Sequence, residues 1–186
     1  QNLQILSEKI KIAPEHIIRE YCEMIILQAF SETNLTKKMI FYGGTALRLA
    51  YNGPRFSEDL DFLMTEEISA KELKTILEEI CKKYTFISLS EVIMKRNTLF
   101  ALIKILHPAL KHPRHIKIEI CKKKNGIQAE YRLLHSQCSN FSPLIRTITL
   151  LSLEKAKIAA IKGREEPRDW IDLWFLANLQ RKQFEP

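Results

Sequence analysis

The chain has 186 residues, 46% of them hydrophobic and 27% charged, and its 29 Lys and Arg outnumber 22 Asp and Glu for a net charge of +7. That length suffices for one domain with a full hydrophobic core, and the near-average composition excludes a disordered or fibrous chain. No apolar run approaches the roughly 20 residues that span a bilayer, the N-terminal QNLQILSEKI lacks a secretory layout, and the cationic excess favours an anionic partner.

In chain order, PEHIIREYCEMIILQAFS sets Ile17, Ile18, Tyr21, Met24, Ile25 and Leu27 on one stripe behind a first-turn proline, which predicts a core-packing helix. Residues 39–42 form a short apolar strand that stops at Gly43 and Gly44. Thr45 to Tyr51 reads as a brief helix, Asn52, Gly53 and Pro54 break it, and residues 59–64 resume as a strand. Ser69 and Glu72 make a capping box for a helix reaching about Lys83. Strands are expected over 86–94, 99–106 and 115–121, with Asn125-Gly126 as a turn into a further strand over 128–134. After the polar HSQCSNFSP, Ser152 is the expected N-cap of a helix over 153–162, Gly163 its stop, and Pro167 the start of a second helix to about Leu179. The expected class is α+β, a mixed or antiparallel sheet flanked by helices. An α/β core over 1–135 is joined by a helical section over 136–186 that completes the same domain.

The predicted strand DLDFLM carries the chemistry. Alternation puts Leu60 and Phe62 in the core and Asp59 with Asp61 on the other face, roughly 6–7 Å apart along the strand. Two carboxylates that close repel unless something compensates, and Mg²⁺ held by one or two carboxylates together with substrate phosphates is a common solution. About fifteen residues upstream, Gly43 and Gly44 open a helix whose bare N–H groups suit a phosphate. In HIKIEIC, Ile116, Ile118 and Ile120 alternate inward and leave Lys117 and Glu119 outward. Glu119 completes a metal site if its strand lies beside Asp59 and Asp61, and is otherwise a surface partner of Lys117.

Three stretches in order between Phe41 and Leu176, GGTALRL, RFSEDLDF and EKAKIAAIKGREEPRDWIDL, resemble the AbiEii/AbiGii-type nucleotidyltransferase toxins of the DNA polymerase beta-like nucleotidyltransferase superfamily. The resemblance implies Mg²⁺- or Mn²⁺-dependent transfer of a nucleoside monophosphate from an NTP to an acceptor hydroxyl. It further implies an RNA acceptor, for which the 3′ end of a tRNA is a candidate, and a cognate antitoxin protein. It assigns the metal to Asp59 and Asp61 with Glu119 as third acid, where the superfamily more often has aspartate. Lys157 becomes a catalytic or phosphate-binding cation and Asp172 an active-site acid. Gly43, Gly44, Thr45, Arg55, Ser57, Arg164 and Arg168 fall to the nucleotide, while Asp169 caps or braces its helix and Arg48 has no clear task. Two other readings keep the fold: a kinase-like transfer of the γ-phosphoryl group, and a non-catalytic relic that binds RNA or protein.

Other features read more simply. Between Lys95 and Arg132 stand ten Lys and Arg against two acids, which fits a solvated face and an RNA- or nucleotide-facing surface equally. Arg168 and Asp172, four apart, also suit a helical salt bridge. Cys22, Cys81, Cys121 and Cys138 are scattered, as reduced thiols in a cytoplasmic protein would be. His107, His112 and His115 belong to a proline-broken basic loop rather than a zinc site, and Trp170 with Trp174 is read as core.

Overall fold

A computed structural model describes residues 3–122, 126–164 and 166–184. Helices α1 (Leu3–Ile10), α2 (Pro14–Ser31) and α3 (Leu35–Lys38) precede strand β1 (Met39–Tyr42), α4 (Gly43–Tyr51), β2 (Asp59–Met64) and α5 (Ala70–Lys83). Strands β3 (Ile87–Met94), β4 (Thr98–Ile105), β5 (Arg114–Lys122), β6 (Ala129–Leu133) and β7 (Leu144–Ile148) follow, then α6 (Leu150–Gly163) and α7 (Pro167–Phe184). The strands form one sheet in the order β3-β4-β5-β2-β1-β7-β6. It is mixed, as expected: β2 runs parallel to β5 and β1 to β7, while the other neighbours are antiparallel.

Strand alternation divides the buried residues between two faces. Leu60 and Phe62 of β2, Leu99, Ala101, Ile103 and Ile105 of β4, and Ile116, Ile118 and Ile120 of β5 pack with α2 and α5 in the main core. Phe62 meets Phe41 and Phe30 there, with ring centroids 5.1 and 5.8 Å apart. On the opposite face Ile40, Leu63 and Ile148 pack with Leu47 and Tyr51 of α4, Leu153 of α6 and Leu176 of α7. This second cluster draws its strand residues from β1, β2, β7 and, through Ala129, β6, and none from β3, β4 or β5 among the described residues, so α6 and α7 cover only part of that face.

Several local expectations change. Residues 144–148 form β7, which inserts between β1 and β6, so the section after residue 135 contributes a strand as well as helices. Thr149, not Ser152, caps α6: its side chain accepts from the Ser152 N–H, while the Ser152 hydroxyl accepts from Gln128 N at 3.0 Å. Ser69 does cap α5, yet the Glu72 carboxylate turns to Lys38 at 2.7 Å and leaves the capping box half made. Trp170 and Trp174 are 56% and 69% exposed and are not core, because α7 turns Asp169, Asp172 and Leu176 inward instead. Asn125 of the expected turn lies outside the described residues. Among the described residues no helix is long and apolar enough to cross a membrane.

Tyr51 ties α4 to the last strand by donating from its hydroxyl to the Ile148 carbonyl at 2.6 Å, beneath the Arg132 guanidinium. Tyr51→Phe leaves that buried carbonyl without its donor and lowers stability by about 1–2 kcal/mol, read as a shift in urea midpoint with unchanged m-value.

Candidate active site

Asp59 and Asp61 emerge on the face of β2 that α6 and α7 partly cover, and β5 lies directly beside them. In register, Asp61 faces Glu119 on β5 and Tyr42 on β1, while Asp59 faces Lys117. The Lys117 ammonium stands 4.0 Å from Asp59 Oδ1. Burial first, then the Asp59 and Glu119 carboxylates, push the Asp61 carboxyl up to about 6, against the pull of Lys157 and Arg168. Negative charge is therefore in excess on this part of the sheet. The donors are all oxygen and suit Mg²⁺ or Mn²⁺. Among the described residues no three His, Cys, Asp or Glu side chains converge at metal-holding distance, so the fit is to two aspartates supplemented by substrate oxygens.

The glycine turn is built against these acids. Gly43 has φ +85°, a conformation that L side chains rarely adopt, and a Cβ there would overlap the Asp61 carboxylate. A Cβ on Gly44 would fall 2.6 Å from Arg55 Nη2 and 2.8 Å from Ser57 Oγ. Tyr42, at the N-cap of α4, makes no side-chain capping bond. The positive end of α4 thus opens beside Asp61, Arg55 and Ser57. Thr45 does not join them: it is 1% exposed, and its hydroxyl donates to the Asp59 carbonyl at 2.6 Å, anchoring the start of β2.

Helices α6 and α7 supply the opposite charge. Lys157 is buried, 3.0 Å from Asp169 Oδ1 and 2.6 Å from Asp172 Oδ2. Asp172 also accepts two bonds of 2.6 Å from Arg55, a fork that pins the 52–58 loop onto α7. Burial opposes ionisation of Asp169, but hydrogen bonds from Arg164 and Lys157 outweigh it and hold the carboxyl below its usual range. Three cations share two carboxylates, so net positive charge faces the sheet acids across a cavity of about 300 Å³.

That cavity is lined by Gly43, Gly44, Arg55, Ser57, Asp59, Asp61, Glu119, Lys157, Arg164 and Arg168, together with Asp169. The structure thereby brings together most of the residues singled out in the sequence. Asp172 lies behind the lining, fully buried under Arg55 and Lys157, and so is a positioning carboxylate; it forms no salt bridge with Arg168, whose partner is Glu166 at 3.9 Å. Arg48 turns away to Glu20 at 2.7 Å and stacks 3.9 Å from the Phe56 ring, bracing the loop from outside. Leu153 and Ala160, on the same α6 face as Lys157, also line the cavity, as do Tyr42 and Ala156, which a sequence reading does not single out because neither a strand-end tyrosine nor a helical alanine marks a site by its type. A larger cavity of about 480 Å³ beside α1 and α2 offers no comparable set: burial, then Glu20, push its Cys138 thiol up to about 12.

Two outcomes follow from this electrostatics. Asp172→Ala strands Arg55 and Lys157 and costs about 3–5 kcal/mol in urea unfolding, whereas Arg168→Ala, on an exposed side chain, stays within about 0.5 kcal/mol. For Asp61 the native carboxyl titrates near 6 against an ordinary 3.8, so the native state binds more protons between those values. The metal-free protein therefore loses stability as pH rises through that window and does not regain it above. Asp61→Asn removes the loss: the metal-free variant is more stable than the parent by up to about 3 kcal/mol at pH 8 and equal to it below about pH 3, by thermal unfolding in chelator.

The architecture has relatives. JHP933 from Helicobacter pylori superposes with a TM-score of 0.66 at 22% identity, covering 93% of this chain and 70% of its own. A putative nucleotidyltransferase from H. pylori gives 0.65 at 22% identity, with 94% and 73% covered. MenT4, a nucleotidyltransferase toxin from Mycobacterium tuberculosis H37Rv, gives 0.67 at 18% identity, with 96% of this chain and 65% of that one covered. At such identities the likeness concerns the fold. No curated protein matches significantly. The family model described as nucleotidyl transferase AbiEii toxin, type IV toxin–antitoxin system, matches residues 25–185, most of the chain and all of the cavity, and the chain belongs to that family of toxin nucleotidyltransferases.

Proposed function

We propose that the protein transfers a nucleoside monophosphate from an NTP to a hydroxyl of an RNA acceptor, in a Mg²⁺- or Mn²⁺-dependent reaction in the cytoplasm, and that a cognate antitoxin protein opposes it. One observation carries the reading: Asp59, Asp61 and Glu119 share a cavity with the open N-terminus of α4 and with Lys157. Asp59 and Asp61, with Glu119 beside them, hold the metal, which when bound supplies Lewis-acid stabilisation of the phosphate oxygens and of the attacking hydroxyl. The Gly43 and Gly44 N–H groups and Ser57 receive the triphosphate. Lys157, its direction fixed by Asp169 and Asp172, offers positive charge where the transferring phosphate becomes more negative. Arg55 stays oriented through Asp172, and Arg164 and Arg168 line the mouth toward the nucleotide. The 3′ end of tRNA is the first acceptor to examine.

The test is to incubate the protein with Mg²⁺, total cellular RNA or tRNA, and each NTP labelled in turn at the α- or the γ-phosphate. Nucleotidyl transfer leaves α-label and no γ-label on an RNA band, and Asp59→Ala or Asp61→Ala lowers that labelling on the order of 1,000-fold or more. Label delivered only from the γ-phosphate would reassign the reaction to phosphoryl transfer, and parent-like labelling by both variants would remove the aspartates from the site.

A further inference from the structure

The basic stretch is concentrated on a specific surface. Cross-strand register sets Asp61, Glu119, Phe100 and Ile93 in one row, and Asp59, Lys117, Leu102 and Glu91 in the next. A third row aligns His115 with Lys104. On β4 and β5 the alternate residues Leu99, Ala101, Ile103, Ile116, Ile118 and Ile120 are buried in the core with α2 and α5, whereas Phe100, Leu102 and Lys104 are only half-buried and His115, Lys117 and Ile93 are exposed. The helices of the second face stop at β2. Half of the sheet therefore presents an aromatic ring and cations beside the candidate catalytic acids, and the Lys95 ammonium, itself exposed, rests 4.1 Å from the Phe100 ring centroid.

We propose that this open face of β3, β4 and β5 docks the acceptor as single-stranded RNA, with a base stacked on Phe100 and the phosphates drawn by Lys95, Lys104 and Lys117. The proposal rests on the nucleotidyl-transfer reading and names where its acceptor lies. The face carries charge complementary to a polyanion, with Glu91 and Glu119 its acidic members. Its aromatic ring is the usual sequence-tolerant platform for an unpaired base. Two strand spacings of about 4.8 Å put Phe100 about 10 Å from Asp61, roughly the reach of one or two nucleotides. Direction also agrees: Tyr42 and the glycine turn lie on the opposite side of Asp61 from Phe100, so donor triphosphate and acceptor strand approach the aspartates from two sides. An acidic protein segment would use the cations but gain nothing specific from the ring.

The experiment measures anisotropy of a 5′-fluorescein-labelled 15-nucleotide single-stranded RNA between 50 and 200 mM salt. Phe100→Leu, which keeps apolar bulk, weakens binding about 5- to 100-fold, while Phe100→Trp retains it. Lys104→Glu weakens binding and flattens the log–log salt slope by about 0.7 or more; Lys74→Glu, on α5 across the sheet, matches the parent. Thermal stabilisation by ATP with Mg²⁺ stays parent-like in all four variants, which separates this face from the nucleotide cavity. The proposal is overturned if the parent fails to bind at 50 mM salt, if Phe100→Leu and Lys104→Glu bind as the parent does, or if polyglutamate displaces the RNA equally well whatever residue occupies position 100. RNA binding that follows the expected pattern without any transfer of α-label upholds the docking surface and rejects the nucleotidyl-transfer reading instead.

Discussion

Lys157 is a cation held inside the protein, and the arrangement of the cavity depends on how it is compensated. A buried ammonium alone would shed its proton or open the fold. Here Asp169 and Asp172, both fully buried, pair with it at 3.0 and 2.6 Å. Asp172 also accepts two hydrogen bonds from the Arg55 guanidinium. One carboxylate thus fastens α6, α7 and the loop leading into β2. Such networks add little net stability over an apolar core, yet removing one member is costly, so what they secure is geometry.

Opposite this positive layer the sheet carries a negative one that Lys117 relieves only in part. Asp61 adjoins Glu119 laterally and Asp59 along the strand, and Gly43 is placed so tightly against it that a methyl group would overlap its carboxylate. Burial, and after it the neighbouring Asp59 and Glu119 carboxylates, raise the affinity of Asp61 for a proton, and a divalent cation would relieve the second of these. The excess of acids comes from the strands and the excess of cations from α6, α7 and the loop carrying Arg55, and the cavity is the gap between them. The two walls together are complementary in charge to a polyphosphate carrying a divalent cation, and the proposed nucleotidyl transfer rests on that complementarity.

Parts of this arrangement were legible in the sequence because they rest on local periodicity. The alternation of DLDFLM and HIKIEIC sent Asp59, Asp61 and Glu119 outward, and the stripe from Ile17 to Leu27 marked α2. Strand β7 was less legible: LIRTI is five residues after a polar loop, and only pairing with β1 and β6 stabilises it as a strand. The tryptophans misled for a different reason. Hydrophobicity favours burial of Trp170 and Trp174, but α7 has one inward face, and Asp169, Asp172 and Leu176 occupy it to satisfy Lys157 and Arg55.

By itself the sequence determined most of the segments that become strands or helices, which side of each predicted strand a carboxylate takes, and, through three ordered motifs, the resemblance that the family match bears out. Only the tertiary structure decided that Asp172 stands behind the lysine rather than in the cavity lining, that Thr45 serves the strand, and that Phe100 and Lys104 share an open face with Glu119. The reason is one of range. Periodicity acts over a few residues, whereas partners such as Arg55 and Asp172 lie 117 positions apart and meet only when sheet and helices close around them.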